Sequence, residues 1–499
     1  MKPIFFSATL LACILFITGF VYPKPSFNKT SRTFTAHYEN VLGTSMELKI
    51  SAQSEKQAAI AEKAALAEIE RLSKILSGYD TNSEFSQWFN SINQPVHVSK
   101  DLFTVLSLFD QWHKQTNGAL DASAELISKV WKQAAASRQL PSPQLLNNAV
   151  ALVQQKHWAL DEANQTATHL TTTPLKLNSF AKSYIIQSAV NAAKAAAKIN
   201  GLILNIGGDM VINGDINEKV WISDPKADAE NDNPIDQLQI SNKAVATSGN
   251  YRRGEMINGK WYSHIVDPRT GNPSDEIISA TVIASSATDA GALATAFNVL
   301  KPTESIALAS KIQDVEYLLI TKNGERIESN GWKILQSQSN VKSEIIQDQK
   351  NWKYELAMTL ELAQQQGFAK RPFVAVWIED ADGNTVRNIA LWYNKPRWLR
   401  DLRAWYRKNG DSFANDLNVF YSVTGATRSP GKYTLKWDGK DDKGKVLKPG
   451  KYSIYFEASR EHGGYDLVHQ EINCNESAQQ YSLKGNSEIE SVSLDYKKK

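Results

Sequence analysis

The chain has 499 residues, 42% hydrophobic and 22% charged, with 26 Gly and 16 Pro, the composition of a soluble globular protein long enough for two or three domains. A net charge of +3 gives no basis for a nucleic-acid partner or a strongly anionic one. With Cys13 in the N-terminal segment and Cys474 the only other cysteine, a mature exported chain is expected to hold no intramolecular disulfide.

Lys2 precedes an apolar run over residues 4–21, which gives way to Pro23-Lys24-Pro25. That order is a secretory signal, and the run is near spanning length. Residues 1–22 therefore read as a signal peptide or a membrane anchor. The protein is expected in the periplasm, free or attached to the inner membrane.

Residues 33–50 alternate like a strand, and residues 54–76 place Ile60, Ala64, Ala67, Ile69 and Leu72 at helical spacing. Helical patterns follow at 99–116, 123–137 and 180–199. Residues 202–206 form a buried-type strand that ends at Gly207-Gly208-Asp209 and continues at 210–214. Strands recur over 219–250 and 277–285 before a helix at about 288–300. This mixture is α+β. Residues 336–349 are polar and read as a linker. Beyond them the period becomes 2, with strands at 354–362, 371–378, 386–393, 432–437 and 451–458, so residues 350–495 are expected to form a small antiparallel β-sandwich. Trp437-Asp438-Gly439 through Lys448-Pro449-Gly450-x-Tyr452 resembles immunoglobulin-like modules of exported proteins.

The densest chemistry lies in His264-Ile265-Val266-Asp267-Pro268-Arg269-Thr270-Gly271-Asn272-Pro273. Proline and glycine make this a rigid turn, and the turn displays an imidazole, a carboxylate and a guanidinium. A hairpin turn starting at Asp267-Pro268 is the plainer alternative. Four clusters precede it: Leu42-Gly43-Thr44, Thr116-Asn117-Gly118-Ala119-Leu120-Asp121, Asn178-Ser179-Phe180-Ala181-Lys182, and Asn205-Ile206-Gly207-Gly208-Asp209. Each puts small residues where a ligand or backbone can come close, beside a polar group that can orient it.

Taken together with Tyr79-Asp80, Ser83-Glu84, Thr247-Ser-Gly-x-Tyr251 and Ala292-Leu-Ala-Thr295, these clusters resemble the ApbE-type FAD:protein FMN transferases over residues 33–335. The resemblance implies an exported, Mg²⁺-dependent enzyme that moves FMN from FAD onto a Ser or Thr of an acceptor protein and releases AMP. It implies FAD contacts at Leu42, Gly118, Ala119, Leu120, Asp121, Asn178, Lys182, Gly207, Gly208, Asp209, His264 and Ile265. His264, which titrates near neutral pH, is the candidate base for the acceptor hydroxyl; a purely ligand-positioning role is the alternative. The metal is implied around Ser179 and the Ala292-to-Thr295 stretch, including Thr295. The usual carboxylate before Ala292 aligns with Gly291, so Asp289 takes the metal role only if it lies in a loop ahead of the helix. Lys176 stands where the family often has Asp.

Residues 350–495 resemble an exported domain found fused to this transferase. Within them, Thr424-Gly425-Ala426-Thr427 resembles the heart of the acceptor motif, with Tyr421 at the usual Asp position. Thr427 on an exposed turn is thus a candidate FMN acceptor, which would make the chain's own C-terminal domain a partner beside separate exported acceptors; a glycine-centred turn between strands with no acceptor role is the plainer alternative. A catalytically weak FAD-binding protein or self-flavinylated periplasmic redox carrier is the alternative to the enzyme. A nicotinamide dehydrogenase built on Gly207-Gly208 is disfavoured because no G-x-G-x-x-G opens a helix there.

Overall fold

The computed structural model describes residues 31–337 and 354–498, apart from 252, 366–370, 394–395, 416–422, 426 and 476. The signal or anchor segment, most of the linker, Tyr421 and Ala426 lie outside the described residues.

The N-terminal unit is built on an eight-stranded antiparallel sheet in the order Arg32–Val41, Thr44–Ala52, Gly201–Ile206, Asp209–Gly214, Ala244–Gly249, Ile277–Ala284, Glu316–Thr321 and Arg326–Glu328. Gly201–Ile206 reads as an apolar run because both faces of the sheet are covered. Leu202 and Leu204 join the core beneath the helices, while Ile203 joins Ile212, Val245 and Trp332 on the opposite side. A ribbon of Asn217–Ile222 and Asp236–Ser241 closes that second side through Val220, Ile222, Leu238 and Ile240.

Three helices cover the first face. Ser54 caps Glu55–Leu76 by accepting from the Gln57 N–H. That helix buries Ala58, Ala61, Ala65, Ile69 and Leu72. Small residues at this spacing let the Ala181–Ala196 helix, with Ala189 and Ala193 buried, approach closely. Ala287–Val299 packs beside it and is buried nearly all round, which is why its apolar pattern lacks one clear stripe. Leu72 is 0% exposed, and truncating it to Ala would cost about 2–5 kcal/mol.

The C-terminal unit pairs a four-stranded sheet with a five-stranded one across a shared core of Leu356, Met358, Val376, Phe456, Val492 and others. The sandwich expectation holds with two additions. Thr424–Gly425 pairs parallel to Thr385–Trp392. A helix, Arg403–Asn415, also covers the outer face of the five-stranded sheet, so Phe373–Glu379 is buried at every position instead of alternating. The assumed linker starts later than residue 336: Gln336 belongs to the Trp332–Ser337 helix and donates to Asp236.

The two units touch along the edge strand Gly431–Trp437. The Asn231 amide donates to the Lys436 carbonyl at 2.7 Å and accepts from the Lys436 N–H at 2.9 Å. The Glu230 N–H donates to the Thr434 carbonyl at 2.8 Å, and Arg428 pairs with Glu230 at 3.1 Å. The transferase-side loop thus occupies backbone groups that an edge strand would otherwise leave open.

Candidate functional site

Two strand turns and a helix start form the base of the site. Between the first two strands Leu42 sits at φ 51° and Gly43 at φ 79°. A left-handed leucine is uncommon, and such strain gathers at ligand sites. The next turn lies alongside, because the Gly207 N–H donates to the Ser45 carbonyl at 3.0 Å. A Cβ on Gly207 would come within 2.6 Å of the Thr44 side chain, whereas one on Gly208 would meet nothing. Gly207 is therefore needed for close packing, and Gly208 presents backbone to open space.

Asp209 follows, with its side chain only 14% exposed, and its carboxylate lies 2.9 Å from Lys182 Nζ. Burial pushes the Asp209 carboxyl above its ordinary range, against the pull of Lys182, the Thr247 N–H and the Ser183 hydroxyl. Lys182 and Ser183 stand on the first turn of the Ala181–Ala196 helix. The residue before that helix is Phe180, which gives it no side-chain cap. A 16-residue helix thus begins without a side-chain acceptor for its first N–H groups, beside a lysine and an open glycine turn.

The segment before this helix ties in the other clusters. Lys176 N–H donates to the Ala122 carbonyl at 2.8 Å, which brings the Gly118–Asp121 loop alongside. Asn178 donates to the Tyr79 hydroxyl at 2.9 Å, and the Lys176 ammonium lies 5.8 Å from the Tyr79 ring. Lys176 also pairs with Glu125 at 3.0 Å, so the position where an Asp was expected carries a neutralised lysine. Tyr79, which the sequence places among the family-like motifs but not among the expected FAD contacts, thus lies beside Asn178 and Lys176. It is 76% exposed on an otherwise well-packed unit, which only the fold reveals.

Three expected contacts take other roles. Ala119 and Leu120 turn their side chains into the core, leaving only backbone to meet a ligand. Asp121 is engaged by His113 at 2.8 Å and by the Ser123 hydroxyl and N–H, so its carboxylate holds the loop in shape. A cleft of about 380 Å³ lies beside that loop, lined by His113, Asn117, Gly118, Asp121 and Arg269.

The His264 segment is a rigid turn, as expected. Asp267 N–H donates to the Asn272 carbonyl and Gly271 N–H to the Asp267 carbonyl, both at 2.8 Å. Arg269 is clamped by Asp267 and Glu304, so it braces the turn. Trp131 donates to the Gly271 carbonyl at 2.9 Å and anchors the turn to the helix Glu125–Ser137. Ile265 lies within the turn, its N–H donating to Ser263 Oγ and its carbonyl accepting from Ser274. His264 itself bonds to the Arg253 carbonyl through Nδ1 at 2.9 Å. Burial of the ring lowers its pKa, as do the charges of Arg253 and Lys132, against the pull of that bond.

The metal positions separate. Thr295 donates to the Ser179 carbonyl at 3.0 Å, so those two oxygens do converge. Asp289 does not join them. Ser286 caps the helix Ala287–Val299, which puts Asp289 in its first regular turn. Six residues before Thr295, it lies about 120° away around the helix axis. Position 291 shares the Thr295 face but carries no side chain. A Cβ there would stand 2.9 Å from Ser183 Cβ and closer still to its hydroxyl. Among the described residues no group of three His, Cys, Asp or Glu could hold a metal ion. A hard divalent cation prefers anionic oxygens. Two neutral ones, already bonded to each other, do not fit a retained Mg²⁺.

Thr427 is also not where the acceptor reading needs it, since it is 2% exposed. The Thr424–Gly425 strand beside it is paired into the sheet, which replaces the exposed turn expected.

A family model for the ApbE family matches residues 42–319, more than half of the chain. The chain belongs to the ApbE family. A second model, described as a predicted periplasmic protein (DUF2271), matches residues 355–491. The FAD:protein FMN transferase of Haemophilus influenzae is 29% identical over 261 residues, covering 50% of this chain and 75% of that one. The transferase of the same name from Vibrio cholerae serotype O1 is 26% identical over 329 residues, covering 63% and 93%. Among solved structures, the ApbE protein of Thermotoga maritima aligns with TM-score 0.55 and 26% identity over 61% of this chain and 99% of that one. The apo flavinyl transferase ApbE of Pseudomonas stutzeri shares the fold at TM-score 0.53 and 21% identity, covering 61% of this chain and 97% of that one.

Proposed function

We propose that this chain is an exported FAD:protein FMN transferase acting on a Ser or Thr hydroxyl of a separate acceptor protein. The observation that carries the reading is the helix start at Ala181, with no side-chain cap and with Lys182 on its first turn. A helix N-terminus without a side-chain cap, beside an ammonium, suits the pyrophosphate of FAD. Tyr79 offers a ring face on which the flavin can stack.

In the proposed reaction the acceptor oxygen attacks the FMN phosphorus of FAD. A new P–O bond to the acceptor forms, the pyrophosphate P–O bond breaks, and AMP leaves. The acceptor proton passes to Nε2 of His264. The Arg253 carbonyl can only accept, so the proton of neutral His264 sits on Nδ1 and Nε2 keeps its lone pair. The work is positioning and charge stabilisation more than covalent help. The reading takes no step through Mg²⁺, because the residues present do not fit it. Export rests on the residues 1–22 signal and on the DUF2271 match. Among the described residues no helix is long and apolar enough to cross a membrane.

Incubating the full chain with FAD and an acceptor peptide tests this directly. AMP release with a matching FMN mass gain on the peptide supports the reading. FAD binding with neither product favours an FAD-holding protein, the second reading, for which the bare Gly291 position is the specific argument.

A further inference from the structure

We propose that the Ser183–Gly291 contact has taken the place of a divalent-cation ligand, so that this chain binds FAD without retaining Mg²⁺. The inference rests on the flavin-site reading above.

The contact lies between two helices that pack directly, Ala181–Ala196 and Ala287–Val299. On the second helix, residue 291 is one turn before Thr295, about 40° around the axis, and so faces the Ser179 carbonyl to which Thr295 is bonded. A carboxylate that completed a cation site with these oxygens would start from position 291. The space it needs is filled. Ser183 Cβ stands 2.9 Å from where a Cβ on residue 291 would be, a distance real side chains essentially never show. Rotating the serine hydroxyl away does not relieve that carbon–carbon clash. Phe180 adds a second wall, 3.6 Å from the same point.

The filling group is no substitute ligand. The Ser183 hydroxyl is hydrogen-bonded to Asp209, and the Asp209 carboxylate is also paired with Lys182. The buried carboxylate that Ser183 touches is therefore matched by an ammonium from the same helix turn. Asp289 faces elsewhere, as shown above. What remains is a hydroxyl donating to a carbonyl, without the anionic oxygens that make Mg²⁺ or Mn²⁺ sites. The serine and the glycine are size-complementary: one side chain occupies the volume the other lacks.

The test uses the full chain and Mn²⁺ as probe, followed by the EPR signal of free Mn²⁺, with and without FAD. Wild type is expected to bind no Mn²⁺ below about 1 mM, and its FAD affinity is expected to change less than about twofold between EDTA and excess Mg²⁺. The double variant S183G/G291D removes the obstruction and supplies the carboxylate, and it is expected to bind Mn²⁺ at least about 10-fold more tightly than wild type. G291D alone is expected to lose thermal stability, because its Cβ meets Ser183, and S183G alone to stay folded and cation-free. Micromolar Mn²⁺ binding by wild type overturns the proposal. So does a folded double variant, checked by circular dichroism, that gains no affinity. Should the double variant not fold, the wild-type titration still decides. If wild type binds no FAD at all, the flavin reading fails while the Mn²⁺ titration without FAD still judges this one.

Discussion

His264 Nδ1 lies 2.9 Å from the Arg253 carbonyl oxygen, and this one contact assigns the two ring nitrogens different roles. The carbonyl accepts a hydrogen bond from Nδ1–H, which leaves the Nε2 lone pair basic. The lowered pKa keeps the ring neutral through neutral pH, which is the form a base needs. His264→Ala is expected to cut turnover by roughly 10²–10⁴-fold while FAD still binds. The acid limb of the wild-type kcat/KM profile should fall below the ordinary imidazole value of about 6.5. A limb above that value, or an equal loss of FAD affinity that saturating FAD repairs, would show His264 to be a binding residue only.

Lys182 and Asp209 support a different prediction. In Lys182→Met the Asp209 carboxylate keeps its bonds from Thr247 and Ser183 but loses its counter-charge. With Lys182 one-third exposed, the cost at neutral pH should be about 1–3 kcal/mol. The sign with pH follows from the raised folded-state pKa. A buried carboxyl that prefers its proton when folded stabilises the fold at low pH and loses that contribution as pH rises past the unfolded value of about 3.9. Losing Lys182 raises that pKa further, so the gap between variant and wild type should widen from pH 4 to pH 7. Urea midpoints at the two pH values read this directly, and a constant gap would show that Asp209 is not the group affected.

The His113–Asp121 pair should give a gap between variant and wild type that closes, not widens, as pH rises. The bond to Asp121 raises the His113 pKa, and burial only partly opposes it. Burial alone would raise Asp121, but the bonds from His113 and Ser123 outweigh it and hold that carboxyl low. The His113 contribution is whole below about pH 6.5 and disappears as pH rises through its higher folded value. His113→Gln should therefore melt below wild type at pH 5–6 and approach it above about pH 8. Because the imidazole is half exposed, the difference should stay under about 1 kcal/mol. Equal melting temperatures at pH 5.5 would remove the pair from the account of how the Gly118–Asp121 loop is held.

The fold was legible where one face of an element is buried. The 54–76 helix was legible as an element, but its buried face was only half legible. Ile69 and Leu72 are buried as expected, whereas Ile60 and Ala67 are exposed. Ala58, Ala61 and Ala65 face the core instead, because alanines on every side leave the apolar stripe poorly marked. The 202–206 run announces a strand covered on both sides. The helix Arg403–Asn415 was not legible, because its segment Arg403-Ala-Trp-Tyr-Arg mixes charge and aromatics and only docking on Phe373–Glu379 shows which side is apolar. At the site, glycine turns and Lys182 could be read as a set from local chemistry. Ser183 could not, since its meaning depends on a glycine 108 positions away on another helix. Asp289 misled for a related reason: spacing alone does not say where a helix begins, and the cap at Ser286 puts Asp289 inside the first turn instead of in a loop that could reach Thr295.

Thr427 provides the last prediction. It is 2% exposed and follows a short strand whose Thr424 and Gly425 pair with Leu391 and Trp392. A hydroxyl in that position reaches a phosphorus only if this part of the sheet opens. The C-terminal unit is also held to the transferase by the Asn231 amide, which bonds to both backbone groups of Lys436. Native chain incubated with FAD and Mg²⁺ should therefore gain no FMN mass, even while a separate acceptor peptide does. Intact-mass spectrometry of chain and peptide from the same reaction separates the two cases. An FMN-sized increase on the folded chain that Thr427→Ala abolishes would mean that this segment opens readily. The β-sandwich would then be a substrate of the transferase as well as its docked neighbour.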